Sequence, residues 1–202
     1  LKECILNKDI ESLEILLNSG KFPKYQAHKL LDNGETFLTY TLRLATEEKS
    51  PKNPNITYYD IALLLVTDQE LKNLKTSSSS SALLLALKSS PLDFFEKFLE
   101  EYENEEIIES LEKENLFYEA LKKIDHRFIE IFIRKNFDFQ KKFTFNSKEI
   151  SPLIWTIERA KKAHCLLILN HPNFVLEKEA SLLNLNLIKI LKKTSLQIIT
   201  KL

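Results

Sequence analysis

No methionine occurs among the 202 residues, and there are only two glycines, two cysteines and four arginines. Each shortage argues against a class of function. A phosphate-cradling loop or a nucleophile elbow needs several glycines in fixed register, whereas Gly20 and Gly34 stand alone. Cys4 and Cys165 cannot make a disulfide framework, so a reducing compartment is the default and a cytoplasmic location the expectation. Four Arg against 25 Lys poorly match the guanidinium forks that read phosphates and base edges, and no nucleic-acid partner is expected. The longest apolar runs, IALLLV at 61–66 and SALLLAL at 81–87, fall well short of the roughly 20 residues that cross a bilayer. No membrane partner is expected, and no basic-then-apolar leader opens the chain. The missing methionine is what an internal fragment would show, or a sequence from which modified methionines had been dropped. In the second case the spacings below are each short by one or more.

The residues that are present describe a globular chain. Hydrophobic side chains make up 44% and charged ones 29%, and a chain of this length buries roughly 70% of its unfolded surface. Leu, Lys, Glu and Ile dominate and proline is sparse, which points to an all-α fold in a single domain. The charge balances overall but is segregated. Residues 96–115, EKFLEEYENEEIIESLEKEN, carry 9 acidic and 2 basic side chains, while residues 116–202 carry 16 basic and 8 acidic.

Internal repetition decides the architecture. TFLTYT (36–41), SALLLA (81–86), NLFYEA (115–120) and SPLIWT (151–156) share one pattern: a small polar residue, a large apolar one two places later, and a small residue three further on. The closing residues Thr41, Ala86, Ala120 and Thr156 are spaced by 45, 34 and 36. Each segment is followed by a second apolar helix: YYDIALLL, LDFFEKFL, HRFIEIFI and AHCLLIL. A half-unit at residues 2–20 places Cys4 in the small-residue slot. The opening Thr36, Ser81, Asn115 and Ser151 are expected to cap helix N-termini, with Pro152 at a first helical position. Leu38, Leu83, Phe117 and Leu153 are expected between paired helices, and the small residues on the same face should permit close approach. One such hairpin cannot cover its own apolar face, so neighbours must stack.

The pattern resembles the ankyrin repeat, whose unit opens Thr-Pro-Leu-His-x-Ala and closes with a helix ending in Leu-Leu and Gly. Ser151, Pro152 and Leu153 match the opening; Gly34, Thr36 and Leu38 match its Gly-x-Thr-x-Leu; Asp9 through Leu16, Leu17 and Gly20 match the second helix. The departures are Lys8, Ser90, Ile124 and Ala160 in place of the family's Gly between helices, and Thr39, Leu84, Tyr118 and Ile154 in place of its His. The resemblance implies an α-solenoid of about five degenerate helix-turn-helix repeats, approximately 1–32, 33–75, 76–112, 113–146 and 147–176, with a helical cap at 177–202. Residues 45–57 read as an inserted loop, and TSSSSS (76–81) as a short connection. The resemblance also implies a non-catalytic, monomeric module that binds a partner protein on the concave face of its first helices. By register that face carries Tyr40, Leu44, Leu85, Ser89, Glu119, Lys123, Trp155 and Arg159, each pair four residues apart, with Trp155 reading equally as a residue that fills a gap between repeats. Lys-rich, Gly-poor repeats of this kind resemble those of secreted bacterial effectors, which dock host proteins in the host-cell cytosol and often carry an enzymatic domain elsewhere.

The Trp-His-Cys-His stretch at 155–171 raises the question of chemistry. A metal site would need further ligands at tight spacing, and no metal or cofactor is expected. Cys165 falls in an apolar helix, where burial raises a thiol's pKa and hides it, so it reads as a small core residue. His28 and His126 read as solvated or capping. The acidic run reads as a solvated helix face. The alternative is an enzyme or modifying factor on a helical scaffold, using Cys165 or the 96–115 segment. A third reading is regulation through Glu103, Glu105 and Glu106.

Overall fold

The computed structural model describes residues 1–19, 30–48, 56–77, 80–135, 138, 140–145 and 147–175. Gly20, most of the 45–57 loop, part of the serine run and the expected cap at 177–202 lie outside the described residues. Among those described the chain forms twelve α-helices and one two-stranded ribbon. It divides by contacts into two compact units, Leu1–Ser110 and Leu111–Leu202.

The first unit contains α1 (Lys2–Asn7), α2 (Ile10–Asn18), α3 (Phe37–Glu47), α4 (Tyr58–Val66), α5 (Gln69–Asn73), α6 (Ala82–Ser89) and α7 (Leu92–Glu100). The helix α8 (Asn104–Lys113) carries the chain into the second unit. There follow α9 (Leu116–Lys122), α10 (Arg127–Arg134), β1 (Phe143–Phe145), β2 (Lys148–Ile150), α11 (Pro152–Glu158) and α12 (Lys162–Asn170).

Three of the four expected caps form. Thr36, Ser81 and Ser151 each accept a hydrogen bond from the backbone N–H three residues on, satisfying amides that a helix start leaves free. Thr57 and Asp60 add a reciprocal capping box at α4. Asn115 departs from the expectation. Its φ of 53° places it in the left-handed region, and its side chain makes no cap bond.

The four large residues after these starts are core: Leu38 and Leu83 are fully buried, and Leu153 and Phe117 nearly so. Thr41, Ala86, Ala120 and Thr156 have no exposed surface at all. Cys4 is only half-buried, and Ile5 beside it takes the core position in α1. The niche therefore recurs at each of the four segments where the sequence placed it.

Within the first unit α3 packs on α4 and on α6, α6 on α7, and α4 on α7. Helical hairpin lies on helical hairpin, with first helix against first and second against second. Gly34 supports the entry to α3. Its φ is 79°, and a Cβ there would collide with Ser77 Oγ, while Ser77 N–H donates to the Gly34 carbonyl at 2.9 Å.

The second unit follows the same logic, with α9 on α10, α9 on α11 and α11 on α12. The turns between paired helices are not uniform. Lys8 and Ala160 both adopt φ of 54° without being glycine, whereas Ser90 is extended with φ of −93°. The ribbon, absent from the sequence reading, pairs Phe143 with Ile150, Thr144 with Glu149 and Phe145 with Lys148. Phe-Thr-Phe alternates apolar and polar side chains, the period of a half-buried strand. The Gln140 side-chain amide both donates to and accepts from the backbone of Val175, at 2.8 Å each way.

Candidate functional site

In the first unit the positions assigned to a binding face are only partly open. Tyr40, Leu44 and Leu85 are half-buried, and Ser89 is exposed with its hydroxyl donating to the Leu85 carbonyl at 2.6 Å. The Arg43 guanidinium lies 5.2 Å from the Tyr40 ring centroid and pairs with Glu35 and Glu47. Leu44 and Leu85 lend apolar area, and the Arg43 cluster lends fixed charge at one margin.

In the second unit Glu119 and Lys123 are half-buried and Arg159 is exposed. Trp155 corrects the expectation of an exposed anchor, for it retains 3% of its surface. The reason is the company it keeps. Tyr118, one turn into α9, meets it edge-on at 5.7 Å, and Tyr118 in turn packs on Phe143 and Phe145 of β1. The ribbon thus supplies an aromatic wall that the helical pattern of α11 did not announce. The Trp155 Nε1–H has no acceptor among the described residues. Cations surround this aromatic group. Arg159 lies 4.4 Å from both the Phe145 and Trp155 centroids, Lys122 lies 5.0 Å from Tyr118, and Lys161 lies 5.6 Å from Trp155. Such placements over ring faces are attractive and hold the cation in place.

Lys161 has a second task. Its ammonium donates to the carbonyls of Leu121, Lys122 and Lys123 at 2.7, 2.9 and 2.6 Å. These groups close α9, and a cation there also meets the negative end of the helix dipole. His164 joins the same carbonyl, its Nε2 lying 3.1 Å from Lys123 O. Burial, assisted by the Lys161 charge, pushes the His164 imidazole down to about 4. It is a neutral donor to a carbonyl at ordinary pH.

Cys165 is 1% exposed, and burial pushes its thiol up to about 11 against a weaker pull from the Thr156 hydroxyl. Thiolate chemistry needs the opposite shift. The neighbouring His164 has its Nε2 committed to a backbone carbonyl, and among the described residues no hydrogen bond joins its ring to the Cys165 thiol. Among the described residues no three His, Cys, Asp or Glu side chains gather as a metal set.

The acidic segment divides. Glu103 and Glu105 are exposed, but Glu106 is structural. It accepts from the Lys72 ammonium at 2.8 Å, and Lys72, with 1% of its side chain exposed, also donates to the Glu101 carbonyl at 2.9 Å. Burial alone would raise the Glu106 carboxyl; the Lys72 hydrogen bond and the Glu103 amide hold it below the ordinary value. Residues 96–115 are thus not one solvated face, because Glu106 staples α8 to α5.

No family model, curated protein or solved structure matches the chain.

Sequence reasoning missed Tyr118, Phe143, Phe145 and Lys161. The alternation at 143–145 was a legible signal for the two phenylalanines.

Proposed function

We propose that this chain is a non-catalytic protein-binding module, an ankyrin-like α-solenoid of about five degenerate hairpin repeats that acts as a monomer. The observation that carries the reading is the packing of α3 on α6 and of α4 on α7, with Leu38 and Leu83 in equivalent buried niches. Hairpins stacked this way set their first helices side by side and repeat the same surface position along a row. A stiff scaffold of this kind binds with little ordering cost of its own.

In the first unit the row is Tyr40, Leu44, Leu85 and Ser89. In the second it is Glu119, Lys123 and Arg159, with Trp155 beneath supporting Arg159. Tyr and Arg are residue types that often dominate interface energies. The partner is a protein in the cytoplasm, or a host protein in the host-cell cytosol if the chain serves as a secreted effector.

Affinity capture from cell lysate tests the reading, with the wild type set against a Tyr40→Ala, Leu85→Ser double variant. A protein captured by the wild type and lost by the variant, with thermal unfolding unchanged, is the expected result. Capture that is identical for both, with the variant folded, would refute this surface.

A further inference from the structure

The ribbon does more than wall in Trp155. Along an antiparallel pair, residues that exchange hydrogen bonds alternate with residues that do not. Phe145 and Lys148 flank a two-residue turn and form an exchanging pair, as do Phe143 and Ile150. Thr144 lies between them, so its N–H and C=O turn outward along the edge of β1 that no described strand covers. It is exposed, and no backbone hydrogen bond ties it to another element among the described residues.

Basic side chains outnumber acidic ones beside this edge, and one of them is held in a fixed geometry. Phe143 and Phe145 share a face with Arg159, whose guanidinium is held 4.4 Å from two ring centroids and whose side chain remains 31% exposed. The carboxylate that pairs with it among the described residues, Glu158, stands off at 3.7 Å, beyond a good hydrogen bond. Lys142 and Lys148 are exposed at the ribbon against the single acidic Glu149 within it. A guanidinium already fixed by rings loses little freedom on meeting a carboxylate and presents a fork that matches one.

We propose that the outer edge of β1 takes up an extended, acidic segment of a partner protein as a third strand, with one of its carboxylates on Arg159. This rests on the protein-binding reading and names the partner's chemistry. The added backbone pairs with Thr144, and alternate side chains fall on the Phe143 and Phe145 face. The surrounding lysines favour an acidic segment and repel a basic one.

The test uses fluorescence anisotropy on the whole chain with a labelled peptide of alternating Glu and Val. Controls are the Lys–Val counterpart and a Glu–Val peptide N-methylated at alternate amides. The Glu–Val peptide is expected to bind and both controls to fail. Thr144→Pro removes the outward N–H and should abolish binding, while Arg159→Gln should weaken it roughly tenfold or more. Absence of Glu–Val binding, equal binding of the Lys–Val peptide, or indifference to N-methylation or to Arg159→Gln each overturns the proposal. If lysate capture depends on Tyr40 and Leu85 but not on Thr144 or Arg159, strand addition falls and the protein-binding reading stands.

Discussion

Lowering the pH from 7 to 5 should cost the fold about 2 kcal/mol through His164 alone. The imidazole is buried in α12, with Nε2 on the Lys123 carbonyl that the Lys161 ammonium also occupies. His126, its ring centroid 6.5 Å away, and Lys161 oppose its protonation; Asp125 and the carbonyl favour it too weakly to win. Folded, it titrates at about 4 against 6.5 for the free side chain. Between those values the unfolded chain binds a proton that the folded chain refuses, so each pH unit lost there costs up to ~1.4 kcal/mol. The contribution is complete above about pH 6.5 and gone below about pH 4. Urea unfolding of the wild type and of His164→Gln, measured across this range, isolates it. Glutamine keeps a donor for the carbonyl without titrating, and the carboxylates act alike in both proteins. The advantage of the wild type should shrink by about 2 kcal/mol between pH 7 and 5. Parallel stability curves would refute the reasoning.

Four further outcomes follow from the packing. Leu153→Ala should cost roughly 2–5 kcal/mol in urea unfolding, and Trp155→Ala roughly 3–5, whereas Trp155→Phe should cost less because it removes a buried donor that has no acceptor among the described residues. Glu106→Ala should lose about 1–3 kcal/mol by stranding the buried Lys72 ammonium, and a combined Lys72→Met, Glu106→Leu variant should recover most of it. Ala160→Gly should raise stability by about 1 kcal/mol, because only glycine adopts that left-handed φ without strain; a loss in thermal unfolding would contradict it.

The helical period of the sequence was enough to locate the buried niches at Leu38, Leu83, Phe117 and Leu153, since capping and apolar spacing are local properties. Long-range pairings were not legible. Nothing local to Glu106 distinguishes it from Glu105, and its role depends on Lys72, 34 residues earlier. Trp155 looked exposed because its helix was read alone, while its cover comes from Tyr118 on α9 and from a ribbon whose strands are three residues each. Asn115 has the right chemistry for a cap, yet the chain enters α9 in a conformation that turns its side chain away from the task.

The three carbonyls held by Lys161 bear on how such a chain can change over generations. Tandem arrays usually gain and lose members by copying whole segments, because each member meets its neighbours in the same way. Here the first helix of one hairpin is closed by an ammonium from the next, 38 to 40 residues downstream. Excising either hairpin would leave bare carbonyls or a stranded charge, so loss of one is expected to destabilise the other.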